Sequence, residues 1–258
     1  MRYAISFAPH KNSLLWQQGS RWLGWDALNG QSLPHPPFRD VAPVRMVELT
    51  RTAAHYGFHV TIVPPFRLSE RISEAVLLDA LTEFASQQLP MALSSFEIAQ
   101  RNGSFCLRPV HHSQAAQTLA SLCIRAFDRY RAPLTPSELA RRKAAMLSGQ
   151  EKKNLEIWGY PYVFEQFRFH FALTAHITDR REKEAVHAAL TETFGPLLAS
   201  PLMLDALCLF AEPASGEPMR CLYRFPFPPF NPEPEECIAY DQLLLPQNFY
   251  PGYQCHSA

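Results

Sequence analysis

Two histidines in short apolar segments are the residues of this sequence best suited to chemistry. His59 lies in the segment FHVTI (58–62), and His170 lies in the segment FHFAL (169–173). Both segments are predicted strands, and side chains two residues apart share one face of a strand, so His59 and the Thr61 hydroxyl project together. Paired imidazoles suit phosphodiester hydrolysis, because a neutral ring can take the proton of an attacking water while a protonated ring donates to the leaving oxygen.

The two histidines occupy equivalent places in an internal repeat. Residues 74–76 (EAV) and 80–83 (ALTE) of one predicted helix recur as 184–186 and 189–192 of a second, and the two histidine segments are 111 residues apart. A lone histidine among apolar residues is usually a core residue, but the repeat favours a chemical role. If the two halves pack about a pseudo-twofold axis, His59 and His170 face one another across a cleft.

Apolar periodicity and cap residues predict the remaining elements. The predicted helices are 72–88, 117–129, 137–158 and 180–198, and the predicted strands are 1–8, 92–98, 105–108, 202–210 and 220–225. We therefore expect an α+β domain over 1–226, with lobes at 57–110 and 168–226 and a helical insert at 115–160. Within the insert, Arg141, Arg142 and Lys143 form a basic cluster, which is either a solvated helix face or a clamp for a phosphate or nucleotide.

Composition excludes several classes of protein. The 258 residues carry 24 Lys and Arg against 24 Asp and Glu, with 47% hydrophobic residues. This balance is unlike that of a strongly basic nucleic-acid coat or an acidic disordered tail. We find no apolar run of membrane-spanning length and no signal-peptide pattern, and the six cysteines are scattered, so we expect a cytoplasmic protein. No clear metal-ligand motif is present, and we expect neither a metal nor another cofactor.

At the histidine segments the chain resembles the two-histidine phosphoesterase superfamily, whose signature is paired H-x-T/S motifs. It is most similar to a bacterial family of phosphonate-metabolism proteins of unknown function, often encoded beside carbon–phosphorus lyase genes. The matching stretches are 1–5 (MRYAI), 22–24 (WLG), 56–61 (YGFHVT), 64–68 (PPFRL), 131–136 (RAPLTP), 138–142 (ELARR), 158–162 (WGYPY) and 167–170 (FRFH). The resemblance implies a duplicated two-lobe fold, with two antiparallel sheets flanking a central cleft and helices outside.

The resemblance also implies the site residues. His59 and His170 would be catalytic, and Thr61 would hold the phosphate. The second motif departs from the family because Ala172 replaces its Thr, and Thr174, about 6–7 Å further along the strand, is an imperfect substitute. Two other departures are Val63, where the family tends to carry a basic residue, and Ser6, where it usually has an aromatic one. We expect a weakened or retuned site.

Four further residues are candidates for substrate binding. Tyr3 could stack on a base or ribose, or be a core or rim aromatic. Arg131 could pair with a phosphate or form a surface ion pair. Tyr160 and Tyr162 could form a wall of the cleft, or belong to a purely structural segment.

The leading hypothesis is a phosphoesterase that acts on a cyclic phosphate of a ribose or small nucleotide. The balanced charge favours such a substrate over a long nucleic acid, which needs accumulated Lys and Arg. The main alternative is a non-catalytic module that binds a nucleotide or sugar phosphate, which Ala172 favours. A ligase-like role on RNA ends is a weaker third possibility. We expect no membrane association, and the sequence does not identify any partner protein.

Prolines outnumber glycines in this sequence, and many of the prolines lie in its last 33 residues. The chain has 23 Pro and 10 Gly, and residues 226–258 hold seven of the prolines with no Lys or Arg. We interpret 227–258 as a Pro-rich acidic extension beyond the family resemblance. Since residues 226–258 contain four acidic residues and no Lys or Arg, the remaining 225 residues carry a net charge of +4, which suits a small anionic substrate.

Overall fold

The fold is a mixture of helices and antiparallel sheets. The computed structural model describes residues 1–143 and 146–229. Over these residues the strands are β1 Arg2–Phe7, β2 Trp25–Asp26, β3 Gln31–Ser32, β4 Val60–Phe66, β5 Met91–Leu93, β6 Phe96–Arg101, β7 Ser104–Pro109, β8 Phe171–Ala172, β9 Leu202–Leu204, β10 Ala206–Glu212 and β11 Arg220–Pro226. The helices are α1 Leu14–Leu23, α2 Pro43–Tyr56, α3 Glu74–Ser86, α4 Gln114–Phe127, α5 Pro136–Lys143, α6 Gly149–Trp158 and α7 Arg180–Leu198. The predicted α+β class is confirmed.

The strands form two larger sheets and two ribbons. The first sheet has the order β11-β10-β1-β4, and the second has the order β6-β7-β8. The ribbons are β5 with β9 and β2 with β3. All of these pairings are antiparallel.

The order of elements recurs along the chain. His59 directly precedes β4, which is followed by α3 and β5–β7, and His170 directly precedes β8, which is followed by α7 and β9–β11. However, β8 pairs with β7, whereas β4 shares its sheet with β10 and β11. Each of the two larger sheets therefore combines strands that follow His59 with strands that follow His170. The lobe boundaries at 57–110 and 168–226 and the pseudo-twofold relation stay predictions.

A stack of aromatic rings in the core connects the two histidine segments. The rings of Phe58 and Phe171 are parallel within 8°, with centroids 4.6 Å apart, and both side chains are fully buried. Helix α1 passes close to this stack because it carries Gly19 there: a Cβ atom would lie 2.3 Å from the Phe58 ring. Since Phe58 precedes His59 and Phe171 follows His170, the stack fixes the separation of the two backbones that carry the histidines.

The predicted elements agree best with the structure where a side chain fixes the boundary. The helix predicted over 180–198 is confirmed, and the Asp179 side chain caps it by accepting a hydrogen bond from the Glu182 N–H at 2.8 Å. The single strands predicted over 92–98 and 202–210 are wrong. Each run divides, at 94–95 and at Asp205, into a short strand of the β5–β9 ribbon and a longer strand of one of the larger sheets.

The C-terminal extension is only partly within the described residues. Met1–Pro228 form one compact unit, and residues 230–258, most of the predicted extension, lie outside the described part of the chain. Cys106, Cys123, Cys208 and Cys221 are free and buried. Across 1–143 and 146–229, no helix combines the length and apolar character needed to cross a bilayer.

Candidate active site

His59 and His170 line the same cavity, which has a volume of about 710 Å³. The cavity opens between β4, β8, the end of α2 and the insert. Thr61, Ala172, Thr174 and Tyr160 also line it, as do Arg141 and Arg142 of the basic cluster. Further polar lining residues, which the sequence analysis did not consider for the site, are Arg2, Thr52, Tyr56, Ser104 and His176. Among the described lining residues there is no Asp or Glu, so the cavity suits an anion.

The His59 ring is fixed by hydrogen bonds through both of its nitrogens. Nδ1 lies 2.9 Å from the carbonyl oxygen of Gly57 and must donate to it, because a carbonyl oxygen only accepts. Nε2 of the neutral ring is then the acceptor for the Thr61 hydroxyl, 2.9 Å away. Gly57 has a φ of 79°, and a Cβ there would lie 2.7 Å from the Ala27 Cβ, so this turn requires glycine.

Among the residues that the structure describes, the His170 ring has a hydrogen-bond partner at one nitrogen only. Its Nδ1 donates to the carbonyl oxygen of Arg168 at 2.7 Å, which again leaves Nε2 as the basic atom of the neutral ring. Ala172 is exposed in the cavity wall, two residues further along the chain, and has no hydroxyl to act as Thr61 does for His59.

The environment favours the neutral form of both imidazoles. Burial, together with the charge of His170, lowers the pKa of His59 from 6.5 to about 4. Burial and the charge of Arg101 lower the pKa of His170. Both shifts have the physical cause expected for cations that lose solvent or lie near other cations. In the unliganded site, both rings are therefore neutral bases at pH 7.

Arg142, one residue of the basic cluster, lies in the cavity wall beside Tyr160. Its guanidinium donates to the carbonyl oxygens of Gly159 and Pro65 and lies 5.7 Å from the centre of the Tyr160 ring. Burial lowers the pKa of Arg142 and raises that of Tyr160 to about 12. Arg141 and Arg142 line the cavity, whereas Lys143 is exposed and does not. The first two are available to an anion in the cavity.

Arg2 is a site residue that the sequence analysis missed. Its Nε donates to the Glu212 carboxylate, which is 2% exposed and also accepts a hydrogen bond from the Gly216 N–H at 2.9 Å. His55 Nε2 lies 3.4 Å from the same carboxylate. Glu212 is opposite Arg2 in the β1–β10 register. Because these two residues are 210 positions apart, no local sequence signal connects them.

Thr174 lines the cavity, but its hydroxyl oxygen is used by the backbone. It is buried, and its Oγ1 accepts a hydrogen bond from the Phe105 N–H at 2.9 Å. The hydroxyl proton stays available to a ligand. However, Thr174 is buried whereas position 172 is exposed in the cavity wall, so Thr174 is less accessible to a phosphate than a Thr at position 172 would be.

Three of the four predicted substrate-binding residues lie outside the cavity lining, and two of these, Tyr3 and Arg131, are held by acidic side chains. Tyr3 is buried, and its hydroxyl donates to Glu74 at 2.6 Å, away from the face of β1 that presents Arg2. Arg131 forms an ion pair with Asp128 at 2.8 Å, which was the alternative interpretation of this residue. The polar groups of both side chains are therefore bound to acidic side chains of the protein.

Tyr162 also lies outside the lining, one layer behind Tyr160. The two rings meet edge to face, with centroids 5.5 Å apart. The Arg101 guanidinium is 5.9 Å from the centre of the Tyr162 ring. Of the two tyrosines, Tyr160 forms part of the cavity wall and Tyr162 supports it.

Within the described parts of the chain, no group of three or more His, Cys, Asp or Glu side chains is placed to hold a metal ion. His176 lines the cavity, and His111 and His112 line a neighbouring one. His112 Nε2 lies 2.9 Å from the Gln117 side-chain oxygen. His176 is thus separate from His111 and His112, which line a different cavity.

The chain belongs to the family described as "Protein of unknown function (DUF1045)", which matches residues 61–220. This confirms the family predicted from the sequence motifs. Proteins named ribose 1,5-bisphosphate phosphokinase PhnN are similar: one from Janthinobacterium sp. (strain Marseille) is 33% identical over 88% of this chain and 51% of its own length. Another, from Laribacter hongkongensis (strain HLHK9), is 35% identical over 85% of this chain and 50% of its own length. The chain thus spans about half the length of these relatives.

Solved structures of phosphoesterases are also similar, at low identity. The crystal structure of E. coli LigT complexed with 3′-AMP is 14% identical, with a TM-score of 0.39, over 88% of this chain and 97% of that one. A crystal structure described as a phosphoesterase is 15% identical, with a TM-score of 0.38, over the same shares of the two chains.

Proposed function

We propose that this protein is a metal-independent cyclic phosphodiesterase that acts on a small ribose or nucleotide cyclic phosphate. The observation that carries the proposal is the arrangement of His59 and His170. Both line one cavity, and each is oriented by a hydrogen bond from Nδ1 to a backbone carbonyl. That bond leaves each Nε2 as the atom that exchanges a proton.

The proposed reaction uses the two histidines in opposite protonation states. One neutral imidazole takes a proton from water as the water oxygen bonds to phosphorus. The other, protonated, gives its proton to the ribose oxygen as the P–O bond of the ring breaks. The product is a phosphomonoester with a free ribose hydroxyl. The first imidazole then releases its proton to solvent and the second takes one up, which restores the starting states.

The lining supplies the charge that this reaction needs. Arg2, Arg141 and Arg142 line the cavity without a carboxylate among its described lining residues, and Thr61 offers a hydroxyl beside His59. A bound phosphate raises the pKa of a neighbouring imidazole, because opposite charge favours the protonated form. Substrate binding therefore itself favours the protonated histidine that the leaving oxygen requires.

A phosphorylated ribose is the substrate class that the relatives favour. Two relatives, which this chain matches across about half of their length, are named for ribose 1,5-bisphosphate. We therefore place the proposed activity in phosphonate metabolism, on a ribose cyclic phosphate.

The alternative is a module that binds a nucleotide or sugar phosphate without turnover. Ala172 favours it, because this position in the cavity wall, two residues after the second histidine, carries no hydroxyl. Loss of one such donor costs about 10²-fold in rate by analogy with oxyanion holes, which attenuates a reaction without abolishing it.

The test is hydrolysis of a panel of 2′,3′-cyclic nucleotides and ribose 1,2-cyclic phosphates, with and without EDTA. We expect turnover of at least one compound, unchanged by EDTA and lost in His59→Ala and His170→Ala. His10→Ala, which removes an exposed histidine outside the cavity, is the matched control. Binding without turnover would support the alternative, and turnover that EDTA abolishes would contradict the metal-independent mechanism.

A further inference from the structure

A second cavity meets the candidate active site at His170. It has a volume of about 750 Å³, and His170 lines both cavities. Its walls come from β6, β7, the start of α4 and the segment 165–170. We call it the arginine groove, for its lining residues Arg101, Arg108 and Arg168.

The arginine groove carries more positive charge than its neighbours neutralise. Glu165 is the one acidic residue among its described lining residues. Arg108 forms an ion pair with Glu97 at 2.7 Å. By contrast, the Arg168 guanidinium donates to the backbone carbonyls of Glu165 and Phe167, which orient it without cancelling its charge.

Arg101 is the arginine of the groove whose charge acts on His170. Its guanidinium lies over the Tyr162 ring, 5.9 Å from the ring centre. In the described part of the chain, neither Arg101 nor Arg168 has an acidic side chain at ion-pair distance. Guanidinium groups in this state are suited to phosphate, which they bind through two parallel hydrogen bonds.

We propose that the arginine groove is a second anion subsite, which binds a phosphomonoester group of the substrate whose cyclic phosphate lies between His59 and His170. The inference rests on the proposed function and narrows it. The substrate class is a nucleotide or sugar that carries two phosphoryl groups, one cyclic and one terminal. Because the two cavities share His170, one ligand can occupy both.

The test compares two ligands that differ only in a terminal phosphate. These are adenosine 2′,3′-cyclic phosphate and its 5′-phosphorylated form, titrated by calorimetry into His59→Ala, a variant designed to bind without turnover. We expect the 5′-phosphorylated ligand to bind about 10- to 100-fold more tightly, as charge-assisted hydrogen bonds predict. Adding Arg101→Ala and Arg168→Ala together should remove this preference and leave the affinity for the other ligand within about threefold.

The controls separate a lost subsite from a damaged fold. Arg180→Ala removes the same charge from an arginine that is 91% exposed and outside both cavities, so the preference should persist. Arg101→Lys should retain part of the preference. Equal affinity for the two ligands in His59→Ala, or a preference that survives the double arginine substitution, would overturn the subsite.

Failure of the subsite and failure of the proposed function give different results. If the wild-type protein hydrolyses neither ligand but still prefers the 5′-phosphorylated one in an Arg101-dependent manner, the phosphodiesterase proposal fails and the subsite stands. If both ligands are hydrolysed with equal kcat/KM and bind equally, the function stands and the subsite fails.

Discussion

His59 and His170 make the same hydrogen bond at equivalent places in the chain. Each ring donates its Nδ1–H to the carbonyl oxygen of the residue two positions earlier, Gly57 at 2.9 Å and Arg168 at 2.7 Å. A bond to a carbonyl fixes the tautomer of a neutral imidazole, so the basic nitrogen of both rings is Nε2. The two rings differ in one respect, because Thr61 accompanies His59 and Ala172 accompanies His170.

This difference predicts a gain of function from one substitution. Ala172→Thr would place a hydroxyl in the cavity wall beside His170, and we expect kcat to rise about 10- to 100-fold, the converse of losing one oxyanion donor. Ala172→Val adds similar bulk without a hydroxyl and is the matched control. The measurement is steady-state hydrolysis of the best substrate of the panel. An equal effect of Thr and Val would show that the missing hydroxyl does not limit the rate.

The buried carboxylate of Glu212 predicts a positioning role in substrate binding. It holds Arg2 through Nε, and Arg2 lines the cavity. We expect Glu212→Gln to raise KM about 3- to 30-fold with a smaller change in kcat, because a charge-assisted bond that orients the guanidinium is weakened. Arg2→Lys should have a similar effect, since an ammonium lacks the rigid planar fork by which a guanidinium can hold Glu212 and a phosphate through different nitrogens.

The double variant of these two residues separates positioning from general damage. If Glu212 acts through Arg2, Glu212→Gln should add little to the KM of Arg2→Lys. Additive effects on KM, or a fall in kcat alone, would contradict the positioning role.

The low pKa of His59 predicts how stability depends on pH. In the folded protein the pKa of His59 is about 4, whereas the ordinary pKa of a histidine is 6.5. Between these values the unfolded chain binds a proton that the folded chain does not, so the free energy of unfolding falls as pH decreases from about 6.5 to 4. Urea unfolding at pH 7 and pH 5 should show that His59→Gln loses about 1–2 kcal/mol less than the wild type over this interval. Parallel losses in the two proteins would count against a buried, neutral His59.

Tyr3 provides a test of which face of β1 is functional. Its hydroxyl donates to Glu74 at 2.6 Å, outside the cavity lining. Tyr3→Phe should lower the free energy of unfolding by about 0.5–2 kcal/mol, since it removes a partly buried hydrogen bond to a carboxylate. The same variant should keep kcat and KM within about twofold. A raised KM at unchanged stability would instead favour the sequence-based interpretation of Tyr3 as a substrate contact.

The sequence predicts local features of this protein well and long-range ones poorly. The start of α7 follows from Asp179, because a cap residue acts within its own turn. The divisions at 94–95 and at Asp205 do not follow from a period-two pattern, because polar residues such as these also occur within single strands. They depend on long-range pairing, since the chain passes there from the β5–β9 ribbon into a larger sheet.

The site shows the same contrast. His59 and His170 can be identified from the repeat, and the structure places both in one cavity. Arg2 cannot be identified, because its partner Glu212 is distant in sequence and its relevance depends on sheet pairing. Arg142 lies between these cases: its charge is evident in the sequence, but its position beside Tyr160 depends on tertiary packing.

The most direct test of the central claim is the rate of cyclic phosphate hydrolysis by His59→Ala, His170→Ala and the variant that carries both substitutions. If the two histidines act together as base and acid, each single variant should lose about 10²- to 10⁴-fold in kcat, and the double variant should be scarcely slower than the worse single one. Activity in either single variant that matches the wild type, or losses that simply multiply in the double variant, would contradict a joint role of His59 and His170.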